Sequence, residues 1–261
     1  MIAIDVSGSG EPLVLFHGVG ASRIVWRHVT PLLAPRRMVI APDLPGFGES
    51  APAGPGFDLG RTAVALAEPL AERAGRRFDL VGNSLGGAVA VELAALRPDL
   101  IRRLVLSAPA GFTAPRPALA DVAGVLLGPL TTLRREIGVP LATSPTARRV
   151  LLFGAIAEPR RLSASDARTM LEASRGSTRI GAAVETLLRS DLSPVLERVE
   201  APVGVIWGAH DRVVPIATLR RIREIRDDVA VEILDDAAHV PQLEHPVEFV
   251  DALERLFDQL G

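Results

Sequence analysis

The chain has 261 residues, a formal net charge of -2, 48% hydrophobic and 23% charged residues. That length suits one large α/β domain or two small ones, and one domain with an insertion is the favoured reading. The composition excludes a disordered or fibrous class, and the charge gives no reason to expect nucleic acid or an anionic surface as partner. Cysteine and tyrosine are absent and every basic side chain is an arginine, which excludes disulfides, thiolate chemistry, Schiff-base lysines and tyrosine acids.

No basic segment followed by a long apolar run opens the chain, and no stretch approaches a membrane span, so a cytoplasmic location is expected. Ile2 to Val6 alternates as a strand, Ser7-Gly8-Ser9-Gly10 is turn chemistry and Leu13 to Phe16 is fully apolar. Together they predict a hairpin that opens a sheet. The small-residue loop His17-Gly18-Val19-Gly20-Ala21-Ser22 follows at a strand end, where open α/β sheets bind ligands. A helix is predicted over Trp26 to Leu33, a strand over Met38 to Ala41, a turn-rich loop over Pro42 to Ser50, and a helix kinked by Pro69 over Leu59 to Ala74.

Phe78 to Val81 is a short apolar run, and Leu85, Val89, Leu93 and Leu96 recur at helical spacing before Pro98. Between them Gly82-x-Ser84-x-Gly86 has the spacing of a nucleophile elbow, a turn so sharp that the serine hydroxyl stands clear of the sheet. Side chains at the two glycines are expected to collide with the neighbouring strand and helix. The flanking strand and helix are the context that separates this match from a glycine-rich turn with an incidental serine.

Leu104 to Leu106 forms the next strand. From about Thr113 to Pro194 there are helical patches broken by Pro115, Pro117, Pro129, Pro140, Pro145 and Pro159, with arginine pairs at 134/135, 148/149 and 160/161 and no clear strand. A helical insertion starting where Ser84 emerges reads as a lid over residues 113–194, with 1–112 and 195–261 forming the core. The alternative is a helical layer with no access role. Strands at Val203 to Trp207 and Ala230 to Leu234, and helices at Ile216 to Ile225 and Pro246 to Leu260, complete a doubly wound, mostly parallel α/β sheet.

A serine nucleophile needs a base, and the base needs a group that fixes its tautomer. Of the five histidines, His239 follows a strand and opens a loop that reaches the sheet edge. His17 opens the small-residue loop and reads as structural. For the acid, Asp211 lies just past a strand, while Asp235 and Asp236 are nearer His239 along the chain.

The chain resembles lid-bearing serine esterases of the α/β-hydrolase fold. The matching pieces are Leu15-Phe16-His17-Gly18, Ala41 to Ser50, Gly82-Asn83-Ser84-Leu85-Gly86-Gly87, Trp207 to Pro215, and Ala238-His239 with Glu244 and Pro246 behind it. The order Ser84, Asp211, His239 is that of these enzymes. The resemblance implies Ser84 as nucleophile, His239 as base and then acid, Asp211 as its orienter, and the N–H groups of Val19 and Leu85 as oxyanion hole, with no cofactor. It gives the Asp43 loop a structural part only.

Three departures accompany it. The chain begins at what is usually the second strand, Ala237-Ala238 replaces a glycine, and His17-Gly18-Val19-Gly20 lacks the longer glycine run of meta-cleavage product hydrolases.

The expected reaction is hydrolysis of a carboxylic ester or related acyl compound. The alternatives are carbon-carbon bond hydrolysis of the meta-cleavage type, or a ligand-binding protein or acyltransferase on the same fold. The expected partner is a small molecule with an apolar acyl group. Phe112, Leu126 and Phe153, in or near apolar patches of the insertion, are expected to contact it. The insertion's arginines, Arg134, Arg148, Arg160 and Arg175 among them, read either as anion ligands or as a solvated face.

Overall fold

The computed structural model describes residues 1–261. Its strands are β1 (Ile4–Ser7), β2 (Glu11–Phe16), β3 (Arg37–Pro42), β4 (Phe78–Asn83), β5 (Ile101–Ser107), β6 (Val203–Gly208) and β7 (Ala230–Leu234). They form one sheet in the order β1-β3-β2-β4-β5-β6-β7, parallel throughout except at β1. The fold is thus α/β with a mostly parallel, doubly wound sheet.

The predicted opening hairpin does not form. β1 pairs antiparallel with β3, and β2 lies between β3 and β4. The reason is the path of Ser7 to Gly10. A Cβ on Gly8, whose φ is +77°, would stand 2.3 Å from the Ala34 carbonyl oxygen and 2.4 Å from that of Arg37, so the chain crosses tightly over the turn before β3 instead of folding back. The helix predicted over Trp26 to Leu33 is likewise divided, into a 3-10 turn at Arg23–Trp26 and the short helix α1 (Thr30–Leu33), whose first turn contains Pro31.

Helices α2 (Leu59–Ala74) and α3 (Leu85–Leu96) cover one face of the sheet. α2 runs its full length with Pro69 inside it. Leu66, Leu70, Val89 and Leu93 pack there against Val14, Leu80 and Leu104, all fully buried. On the other face Trp26 and Leu33 join Leu253, Leu256 and Phe257 of α11 (Pro246–Leu260) over Leu13, Leu15 and Val105. Burial on both faces explains why the strands read as continuous apolar runs.

Between β5 and β6 lie five helices: α4 (Pro117–Leu141), α5 (Pro145–Leu151), α6 (Ala164–Glu172), α7 (Ile180–Arg189) and α8 (Ser193–Leu196). The expected breaks at Pro117, Pro129 and Pro140 do not occur within α4. Pro117 occupies the first turn, where no N–H is missed, and Pro140 lies next to the end. Pro129 follows Gly128, which has no Cβ to clash with the proline ring. Val125, whose carbonyl Pro129 cannot bond, is 72% exposed and open to water. After β6 come α9 (Thr218–Ile225) and, past β7, the unforeseen single turn α10 (Pro241–Glu244).

The end of β4 remote from Ser84 is anchored by a buried carboxylate. Asp79 accepts hydrogen bonds from Arg37 at 3.0 Å, from Arg102 at 2.6 and 2.8 Å and from Arg103 at 2.7 and 2.9 Å. Burial pushes its pKa up, but the arginine hydrogen bonds outweigh burial and hold it below the usual carboxylate value. The stabilisation is therefore present above the unfolded pKa of about 3.9 and lost as pH falls through the lower folded value. Asp79→Asn, which strands Arg103 among buried atoms, is expected to cost about 3 kcal/mol in urea unfolding at pH 7, with a smaller difference from wild type at pH 3. Equal midpoints at pH 7 would remove the cluster's stabilising part.

Candidate active site

Ser84 joins β4 to α3 with φ 55° and ψ -116°, a left-handed conformation that costs a non-glycine residue about 1–3 kcal/mol. Its surroundings enforce that geometry. A Cβ on Gly82 would stand 2.4 Å from the Gly86 carbonyl oxygen, and one on Gly86 would stand 2.4 Å from that of Phe16 and 2.6 Å from that of His17. Strand, helix and β2 therefore approach too closely for side chains at either glycine, the collision expected from the spacing.

Ser84 and His239 face one cavity of about 190 Å³, whose wall includes Val19, Ile24, Met170 and Val213. His239 Nδ1 lies 2.7 Å from Asp211 Oδ2, and both side chains are buried. The other oxygen of Asp211 accepts N–H bonds from Val213 at 2.8 Å and Val214 at 2.9 Å, which fixes the carboxylate in its loop. No hydrogen bond joins Ser84 to His239, a contact that is often loose until substrate is bound. Asp235 and Asp236 are exposed and make no hydrogen bond to His239.

The small-residue loop packs directly on the serine. A Cβ on Gly18 would be 3.3 Å from that of Ser84. His17 holds the loop in place: the Leu44 N–H donates to its Nε2 at 2.9 Å, which puts the ring proton on Nδ1, 2.8 Å from the Gly18 carbonyl oxygen. Burial lowers the His17 pKa, consistent with this neutral form. The Val19 N–H makes no backbone hydrogen bond, and the Leu85 N–H stands at the first position of α3, where helical N–H groups lack partners within the helix. Val19 lines the same cavity as Ser84, and Leu85 follows the serine directly in the chain. Asp43, on the same face, accepts N–H bonds from Arg23 at 2.7 Å and Glu49 at 2.8 Å, the work of a loop brace.

Three positioning side chains had no assigned role at the level of sequence. Asn83 Nδ2 donates to the carbonyl oxygens of Ser107 and His239, each at 3.1 Å, and Gln242 donates to Asn83 Oδ1 at 3.2 Å. Glu244 accepts N–H bonds from Ala157, Ala238 and Val240 at 2.6, 3.1 and 3.3 Å, and burial raises its pKa. Only the matched motifs pointed to Asn83 and Glu244. Nothing in the pattern singled out Gln242.

Phe112, Leu126 and Phe153 are not brought to this cavity. Phe112 is 1% exposed within the core on the α2 and α3 side, and Leu126 is 49% exposed on α4. Phe153 is 68% exposed, with the Arg212 guanidinium 5.4 Å over its ring. It lines a larger, polar cleft of about 880 Å³ that contains none of Ser84, Asp211 or His239. The apolar wall at Ser84 comes instead from Ile24, Met170, Ala173, Val213 and Leu243. No group of three or more His, Asp or Glu side chains is arranged to hold a metal ion.

A family model described as alpha/beta hydrolase fold matches residues 11–246. The chain is 32% identical to a pimeloyl-[acyl-carrier protein] methyl ester esterase of Chromobacterium violaceum, over 96% of this chain and 95% of that one. Among solved structures, a bacterial membrane phospholipase A superposes with a TM-score of 0.77 at 30% identity, over 99% of this chain and 83% of that one. A bromoperoxidase of Bacillus anthracis gives a TM-score of 0.81 at 21% identity over 98% and 95%, a likeness of fold alone.

Proposed function

The chain belongs to the alpha/beta hydrolase fold family, and from that premise we propose that it is a serine hydrolase cleaving a carboxylic ester or related acyl compound through an acyl-enzyme. The observation that carries this reading is Ser84 on its strained turn, sharing a cavity with a histidine whose far nitrogen is held by a buried aspartate. The esterase relative supports an ester as the reacting group.

Ser84 Oγ attacks the ester carbonyl while His239 Nε2 takes its proton. Asp211 keeps the other ring proton on Nδ1 and stabilises the imidazolium that forms. The oxygen that gains charge is received by the N–H groups of Val19 and Leu85, where one such donor typically contributes about a hundred- to a thousandfold in rate. His239 then protonates the departing alcohol, and water, activated by the same ring, releases the acid. No step needs a cofactor.

The segment between β5 and β6 contributes Arg134, Thr169, Met170 and Ala173 to the cavity wall, which supports reading residues 113–194 as a lid over the core of 1–112 and 195–261. Incubation with a fluorophosphonate probe and peptide mapping tests the reading. A single adduct at Ser84 is expected, and labelling elsewhere would overturn it.

Glu244 offers a separate check. It ties the backbone on both sides of His239 to Ala157, so Glu244→Gln, which sets an amide N–H against a backbone N–H, should let the imidazole drift. Displacement by about 1 Å costs about a hundredfold, so kcat is expected to fall about ten- to a hundredfold with KM little changed. An unchanged kcat would show that other contacts hold His239.

A further inference from the structure

The cavity at Ser84 holds a cation that nothing in the protein neutralises. Arg134, on α4, lines it, makes no hydrogen bond and belongs to no ion pair. The acid closest along the chain, Glu136, is taken by Arg135 at 2.7 Å. The other arginine in the wall, Arg27, is paired with Asp166, and His239 is occupied by Asp211. No aspartate or glutamate lines the cavity. Arg134 is exposed to solvent along part of its length, and burial of the remainder holds its pKa below the usual arginine value.

An arginine without a partner in a cavity wall that also includes Ile24, Met170, Ala173 and Val213 suits a ligand that is apolar in its middle and anionic at one end. We infer that Arg134 is a specificity-determining residue that selects esters carrying a free carboxylate remote from the scissile bond, namely half-esters of short dicarboxylic acids. The inference rests on Ser84 being the nucleophile. The cavity of about 190 Å³, with Ser84 and Arg134 both in its wall, points to a short chain between the ester and the carboxylate. Hydrolysis adds one water, releases the alcohol and leaves a dicarboxylate. Arg134 takes no part in proton transfer.

The test compares monomethyl glutarate with its neutral terminal-amide counterpart, using wild type, Arg134→Gln and Arg134→Lys. Wild type should favour the half-ester in kcat/KM by about ten- to a hundredfold, the range for a hydrogen bond between charged groups, with the difference mainly in KM. Arg134→Gln should bring the ratio close to one, and Arg134→Lys, a point charge without the planar fork, should keep part of it. A wild-type ratio at or below one, or a ratio unchanged in Arg134→Gln, overturns the inference. So does an equal loss on both esters in both variants, which would mark a packing role. Should Arg134→Gln fail to fold, the salt dependence of wild type decides: KM for the half-ester must rise with ionic strength while that for the amide does not. Failure of the serine-hydrolase reading is seen separately, as absence of the Ser84 adduct or as hydrolysis that survives in Ser84→Ala.

Discussion

Ser84→Ala is expected to lose ester turnover by about a million-fold, the loss a serine protease suffers when its nucleophile or base is removed, while folding as the wild type does. Removing Oγ leaves His239, Asp211 and both N–H donors in place, but no group remains to form the acyl-enzyme. Folding should be insensitive because no side-chain hydrogen bond ties Ser84 to the rest of the chain. The turn is imposed by backbone contacts at Gly82 and Gly86, which the substitution does not touch. Steady-state kinetics against an ester panel, run beside thermal melts, makes the measurement. Turnover within about a hundredfold of wild type would mean that another group, or a water molecule activated by His239, carries the reaction.

The elbow was legible because its causes are local: two glycines, a strand and a helix within about a dozen residues account for the shape of the turn. The place of the small-residue loop beside Ser84 was legible for a similar reason, since such a run directly after an apolar strand has few places to go in an open α/β sheet. Pairing of β1 was not, because the crossover at Gly8 depends on carbonyls of Ala34 and Arg37 far along the chain. Pro129 misled because a proline signal carries no record of its neighbours' freedom: Gly128 and the exposed Val125 let α4 continue.

The cavity wall was the least legible part. Apolar patches in the insertion mark surface that wants cover, and the pattern does not say whether sheet, helix or ligand supplies it. Phe112 found the core, whereas Met170 and Val213, unremarkable in sequence, reached the cavity. Arg134 could not be told from its neighbour Arg135 until the direction of Glu136 was known.

Asp211→Asn should lower turnover by about ten-thousandfold with little loss of stability, through the tautomer of His239. One oxygen of Asp211 is held by the N–H groups of Val213 and Val214, so an asparagine must place its carbonyl oxygen there. Its amide then points at His239 Nδ1 as a donor where the carboxylate was an acceptor. The ring answers by carrying its proton on Nε2, the nitrogen that has to receive the proton of Ser84. Geometry survives while the base is blocked. Asp235 and Asp236 are exposed, and amides there should change turnover by no more than about twofold, the ordinary scale for surface positions. Kinetics of the three variants on one ester, with melting curves as control, separates the acids. A mild Asp211→Asn beside a severe Asp235→Asn or Asp236→Asn would move the orienting role to the loop that precedes His239.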